Sequence, residues 1–125
     1  MVNSANPIGP NALNPQEGLV FISTILDIFK KCFNTEIHYH KPSNEMFLNH
    51  IQLLSQRMLH DEIYDDPNDT VMYNNLKKTY TDADNCVEQI VNSIYKKYNY
   101  PLSNTEKLYL IVHIQNVLND RPKND

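Results

Sequence analysis

Two histidines stand where a helix would be expected to place an aliphatic side chain: His50 inside Phe47-Leu48-Asn49-His50-Ile51, and His113 inside Tyr109-Leu110-Ile111-Val112-His113-Ile114. An imidazole titrates near neutral pH, and its ring nitrogens serve as nucleophile, base or metal ligand, so two such groups at matching helix positions suggest one shared task. At about 100° per residue, Arg57 follows His50 along nearly the same helix line, and Glu106 precedes His113 by the same seven-residue spacing. A neutral imidazole can attack phosphorus. The resulting phosphoramidate needs a cationic or amide-lined surface to hold its oxygens, and His50 with Arg57 offers one. The competing reading makes both residues partly buried core histidines, hydrogen-bonded and chemically idle.

Those side chains must be carried by helices, because the chain has only two glycines and no alternating stretch long enough to insist on a strand. Five helices can be read. The first runs from Gln16 to Phe33, with Leu19, Ile22, Leu26, Phe29 and Phe33 as its apolar stripe. His38-Tyr39-His40-Lys41-Pro42 is a loop; Ser43 or Asn44 then offers a cap for the second helix, which runs through about Leu59 on a stripe of Phe47, Ile51, Leu54 and Met58. Asp65-Asp66-Pro67-Asn68-Asp69 is the strongest turn signal, and Val71, Met72 and Leu76 support a short third helix ending near Tyr80. The fourth begins near Thr81 or Asp82, carries Ala83, Val87, Ile90 and Ile94 along one face with Cys86, Val91 and Tyr98 beside it, and stops before Tyr100-Pro101. The fifth opens on Ser103-Asn104-Thr105-Glu106, the pattern of a reciprocal cap in which Ser bonds the third amide and Glu reaches back. Residues 1–15, with prolines at 7, 10 and 15, form a linker or the tail of a preceding domain, 16–121 the folded domain, and 122–125 a tail.

At 125 residues, one all-α core is the expectation. A formal charge of −4, with Lys and Arg clustered no further than pairs such as Lys30-Lys31, argues against a nucleic-acid surface and for a protein partner. Cys32 and Cys86 fall on apolar faces of separate helices, which suits reduced thiols in a cytoplasmic protein, and no apolar run is long enough to cross a membrane. His38 and His40 could clamp a metal but lack a third ligand, and His60 fares similarly; no metal or other cofactor is expected. Asp61-Glu62 and Asp65-Asp66 lack the glycine a calcium loop needs, and Tyr95, Tyr98 and Tyr100 read as packing or interface residues. None of these patterns is an enzyme's.

The run Asn44-Glu45-Met46-Phe47-Leu48-Asn49-His50-Ile51-Gln52-Leu53-Leu54-Ser55-Gln56-Arg57 resembles the signature of the second phosphotransferase-system regulation domain of BglG/LicT-type transcriptional antiterminators. Lys96-Lys97-Tyr98-Asn99-Tyr100 and Ser103 through Gln115 resemble the last part of the same domain, so that the likeness spans about residues 16 to 119. Even Val2-Asn3-Ser4-Ala5 is similar to the end of a preceding regulation domain, which implies a piece of a longer regulator.

The resemblance implies a compact five-helix bundle that forms a homodimer. It also implies His50 and His113 as phosphoacceptors, with the phosphorylated carrier HPr or a sugar permease (EIIB) as donor. Phosphorylation by HPr favours the active dimer in that family, while the permease acts with the opposite sign on the first domain. RNA is then bound only through a separate amino-terminal module, absent here, that permits transcription of sugar-utilisation genes. Many relatives carry Arg three residues after the second histidine; this chain has Asn116, an amide in place of a charged fork, as the remaining phosphate-supporting candidate beside Arg57. The alternatives are a histidine phosphotransfer protein with one exposed acceptor, and an inert helical dimerisation module.

Overall fold

The computed structural model describes residues 15–38 and 40–121. Five helices follow one another: α1 (Pro15–Phe33), α2 (Pro42–Leu59), α3 (Asp69–Thr79), α4 (Thr81–Tyr98) and α5 (Asn104–Asn119). No strand occurs among the described residues. The readings of residues 1–14 and 122–125 as linker and tail lie outside those described, and Pro15, assigned to the linker by sequence, is the first residue of α1, where its fixed φ suits a helix start.

The helices form one bundle in which α1 packs on α2 and α4, α2 on α5, and α5 also on α3 and α4. The core joins Phe21, Ile25 and Phe29 of α1, Phe47, Ile51 and Leu54 of α2, Ile90 and Ile94 of α4, and Leu110, Ile111 and Ile114 of α5, all fully buried. Phe29 and Phe47 meet at 5.6 Å between ring centroids, tying α1 to α2. Two apolar stripes differ from the sequence expectation. On α1 the inward line is Phe21-Ile25-Phe29, while Leu19 lies 65% exposed and Ile22, Leu26 and Phe33 only flank the core. On α3, Val71 and Met72 face out and Tyr73 is the buried residue. Both helices have apolar residues on more than one side, so periodicity alone admits two rotations; the aromatic ring, with more area to bury, goes inward in each.

The chain ends helices without glycine. Asn34, Asp61 and Asn99 adopt the left-handed conformation (φ 52°, 57° and 54°) just past α1, α2 and α4. Asn and Asp are the non-glycine residues that tolerate this region best. Past α2 the Glu62 amide bonds Arg57 O at 2.8 Å and the Asp61 amide bonds Met58 O at 3.1 Å, the paired bonds that terminate a helix and turn the chain sharply. At the start of α2 neither Ser43 nor Asn44 caps the helix: Lys41 is the N-cap with Pro42 behind it. Ser43 Oγ instead donates to Asp120 Oδ2 at 2.5 Å, and Asn44 Nδ2 donates to His38 O at 2.8 Å, fastening the α1–α2 loop and the end of α5 to the helix.

The segment between α2 and α3 is stapled to the beginning of α5. Tyr100 Oη donates to Glu62 O (2.6 Å), Ser103 Oγ to Tyr64 O (2.5 Å), and Thr105 Oγ1 accepts from the Asp66 amide (2.7 Å) while donating to Asp69 Oδ2 (3.0 Å). Asp66, through its amide, and Asp69, through its carboxylate, therefore have structural roles here. These bonds fix α5 relative to the end of α2, which is where Arg57 sits.

Candidate functional site

α2 and α5 run antiparallel, since His50 lies against His113 while Arg57, two turns later, meets Glu106, two turns earlier on its own helix. The two equal seven-residue spacings thus become a ladder with two rungs. The upper rung is a pair of imidazoles with ring centroids 5.0 Å apart, and the Tyr109 ring stands 5.7 Å from His50. The lower rung is Arg57 Nη1 donating to Glu106 Oε2 at 2.9 Å, with the Arg57 guanidinium 5.2 Å above the Tyr64 ring. Between the rungs, Glu106 Oε1 faces His50 Nε2 at 3.5 Å. Both atoms are buried and make no hydrogen bond to any described group.

The electrostatics suit a neutral nucleophile. Burial, the adjoining His113 and the Arg57 charge together pull His50 down to about 4, so the ring is uncharged at neutral pH and its approach to Glu106 is not an ion pair. Burial also lowers His113. Glu106 is pushed upward by burial, and Arg57 opposes that through its charge and its hydrogen bond. The carboxylate's side chain is 1% exposed against 26% for Arg57, so the cation reaches solvent and the anion does not.

His50, His113 and Arg57, singled out by sequence, therefore gather in one cluster, whereas Asn116 does not join it. Asn116 is exposed, and its side chain makes no hydrogen bond to a described residue. Glu106 is the member that sequence reasoning placed elsewhere. The expected reciprocal cap is half present: Ser103 Oγ accepts from the Glu106 amide at 3.2 Å, but the carboxylate turns inward to Arg57 instead of back to the helix start. A charged guanidinium partner offers more than a solvated backbone amide. The signal was the pair of opposite charges at mirrored spacings, which only an antiparallel packing joins. Tyr64 and Tyr109, the aromatic rim, had no distinguishing mark.

The remaining candidates fall outside. The His38 and His40 rings stack at 5.8 Å on an exposed loop, and His60 Nδ1 lies 2.9 Å from Gln56 O on the surface. No group of three potential metal ligands occurs among the described residues. Tyr95 is exposed, Tyr98 packs on Phe21 at 5.4 Å, and Tyr100 is buried. Cys86 is buried and Cys32 partly so, both as free thiols. No helix among the described residues is long and apolar enough to cross a membrane.

Comparison with known proteins covers the same part of the chain. The family model described as PRD domain matches residues 23–117, a stretch that contains both histidines, Arg57 and Glu106. The chain is 29% identical over 111 residues to the transcription antiterminator LicT of Bacillus subtilis (strain 168), a match covering 87% of this chain and 38% of that protein. It is 30% identical over 94 residues to the beta-glucoside operon antiterminator of Dickeya chrysanthemi, covering 74% of this chain and 32% of that protein. The matches thus take in about a third of either relative's length.

Proposed function

The chain belongs to the PRD domain family, and from that premise we propose that it is the regulatory part of a BglG/LicT-type antiterminator, phosphorylated on histidine by phosphotransferase-system proteins to control the assembly and RNA binding of a longer cytoplasmic regulator. The observation that carries this reading is the meeting of His50 and His113 at 5.0 Å beside Arg57, at the junction of two helices. An idle pair of core histidines would hydrogen-bond its ring nitrogens. Here His50 Nε2 is buried without such a bond and the ring is held neutral, which leaves a lone pair for chemistry.

The transfer itself is a displacement at phosphorus. In the tautomer with its proton on Nδ1, the neutral ring of His50 attacks with the Nε2 lone pair; the new N–P bond forms as the donor's phosphorus–nitrogen bond breaks. The electron pair leaves on the donor imidazole, which takes up a proton, and the Nδ1 proton of His50 is released to solvent. Arg57 supplies the cation for the phosphoryl oxygens. His113 is the second acceptor by the same reasoning, with no comparable cation beside it. Its downward shift has burial as its only cause, so no charged neighbour contributes. The dimer half of the reading is supported by the apolar groove of about 680 Å³ between α1 and α2, where Leu19 and Leu53 are 65% and 56% exposed.

The test is intact-mass analysis after incubation with phosphoenolpyruvate, enzyme I and HPr, and separately with a phosphorylated permease domain, on wild type, His50→Ala, His113→Ala and the double variant. Acid-labile phosphate on wild type that disappears in the double variant supports the reading. A folded wild type that gains none from either donor sinks it and leaves the inert dimerisation module.

A further inference from the structure

On the reading just given, the position a phosphoryl group needs is already occupied. A group bonded to His50 Nε2 must take space beside Glu106 Oε1, which now lies 3.5 Å away, and the cation that must receive its oxygens is already held by Glu106 Oε2 at 2.9 Å. We infer that Glu106 is a built-in stand-in for the phosphoryl group: in the resting domain it holds Arg57 and covers the acceptor nitrogen, and phosphorylation exchanges Arg57 from carboxylate to phosphate.

Three observations beyond the distances carry this. Glu106 is among the most deeply buried side chains of the molecule, a place where a carboxylate is held only by its pairing with Arg57. It spends only one oxygen on Arg57; the other is buried, unbonded and aimed at His50. Arg57 keeps 26% of its side chain in solvent and lies over the exposed Tyr64 ring, so it has room to swing from one anion to the other without leaving the site.

The charges make the two states exclusive. Arg57 and Glu106 sum to zero; a phosphoryl group beside an ionised Glu106 puts at least two like charges against each other in a place with little water. The carboxylate must therefore turn outward or take a proton when phosphate arrives. Because Glu106 is in the first turn of α5 and its amide is bound by Ser103, which is itself tied to Tyr64, its release loosens the clasp between α5 and the α2–α3 segment. Glu106 is thus a positioning residue that converts a covalent change on α2 into a movement of α5.

The experiment uses potassium phosphoramidate, a small donor that needs no protein recognition, on the full chain in wild-type, Glu106→Gln, Glu106→Asp, Arg57→Gln and Arg57→Gln/Glu106→Gln forms, each checked for helicity. The site, ring nitrogen and lifetime of the phosphate are read by mass spectrometry and ³¹P–¹⁵N NMR. With the competitor neutralised, Glu106→Gln gains phosphate on His50 Nε2 faster and keeps it longer, by roughly tenfold, the weight of one charge-assisted hydrogen bond. Glu106→Asp restores wild-type behaviour in part, and in the Arg57→Gln background the Glu106→Gln effect shrinks to the like-charge repulsion alone, a coupling that a merely structural glutamate would not show. Equal rates and lifetimes in wild type and Glu106→Gln, or phosphate on Nδ1, overturn the exchange while leaving His50 an acceptor. No phosphate on His50 in any form sinks the acceptor reading and the exchange with it. If Glu106→Gln fails to fold, an Arg57→Gln lifetime equal to wild type is the overturning result.

Discussion

Replacing Arg57 by alanine strands a carboxylate that has no other described partner. The Glu106 side chain is 1% exposed, its Oε2 accepts the only charged hydrogen bond it has, and its Oε1 has none. Removing one member of a fully buried pair costs about 3–5 kcal/mol. Arg57 is 26% exposed, so water entering its place solvates the anion in part, and the expected cost at neutral pH falls to about 2–3 kcal/mol, or roughly 10 °C in Tm for a domain of this size. The sign with pH discriminates further. Burial already raises Glu106 above its ordinary value of 4.5, and losing Arg57 removes the opposing influence, so the folded variant holds its proton more tightly than the unfolded chain. A group raised on folding stabilises at low pH and loses that contribution as pH rises through its folded value. Arg57 is also one of the groups that depress His50, so the variant loses less to imidazole protonation in acid. Both effects point the same way: the gap between wild type and Arg57→Ala narrows from pH 8 to pH 5. Denaturant unfolding followed by circular dichroism at the two pH values measures it. A cost under about 0.5 kcal/mol that is equal at both would show that Glu106 reaches water unaided, and the buried-anion argument would be wrong.

Other consequences can be measured with the same purified chain. With His50 held down to about 4, its ring signals in an NMR titration stay in the neutral form through pH 6, and because an imidazole depressed on folding stabilises only above its unfolded value of 6.5, native stability declines as pH falls from there toward 4; a midpoint above 6 would contradict the burial seen here. Phe21→Ala is expected to cost about 3–5 kcal/mol and Leu19→Ser less than about 0.5, the reverse of what the sequence stripe of α1 implies, and equal losses would restore that stripe. Thr105→Val leaves the Asp66 amide and the Asp69 carboxylate without their shared partner, at about 1–3 kcal/mol by thermal unfolding. At Asp61, held at φ 57°, glycine should be neutral or slightly stabilising and valine destabilising by about 1–2 kcal/mol; a tolerated valine would mean the turn rearranges at little cost.

The five helices were legible because each has a boundary that chemistry enforces locally: Pro42, the Asp66-Pro67 turn, Asn99 before Tyr100-Pro101, and Ser103 as a cap. Which way a helix turns its apolar side was legible only where one face is apolar, as on α4, where the expected face of Ala83, Val87, Ile90 and Ile94 is buried and Cys86, read as lying beside it, is buried too. On α1, ten of nineteen residues are apolar and spread around the helix, so the choice between Leu19 and Phe21 belongs to the packing, where α2 and α4 accept the aromatic ring. The site shows the same division. His50 and Arg57 share one helix, and their common edge followed from spacing; the joining of His50 to His113 and of Arg57 to Glu106 is a property of two helices, and nothing local to either one specifies it.

On the proposed function, that two-helix origin also ranks the two histidines as acceptors. The cluster brings two imidazoles to a single guanidinium, and the residue three positions after His113 is an exposed Asn116 with no bond into the site. A phosphate on His50 can be met by Arg57 once Glu106 withdraws. A second phosphate on His113, with ring centroids 5.0 Å apart, would add like charge beside the first and find no further cation in the described cluster. Double phosphorylation of one chain therefore requires a cation from another molecule, or a separation of α2 from α5. On this argument the His113→Ala variant keeps most of the phosphate that wild type accepts, His50→Ala loses most of it, and the doubly phosphorylated species is minor until an assembly partner supplies charge. Equal phosphate on the two histidines of the isolated chain, read by tandem mass spectrometry, would refute the ranking and show that Asn116, or the helix itself, holds phosphate as well as Arg57 does.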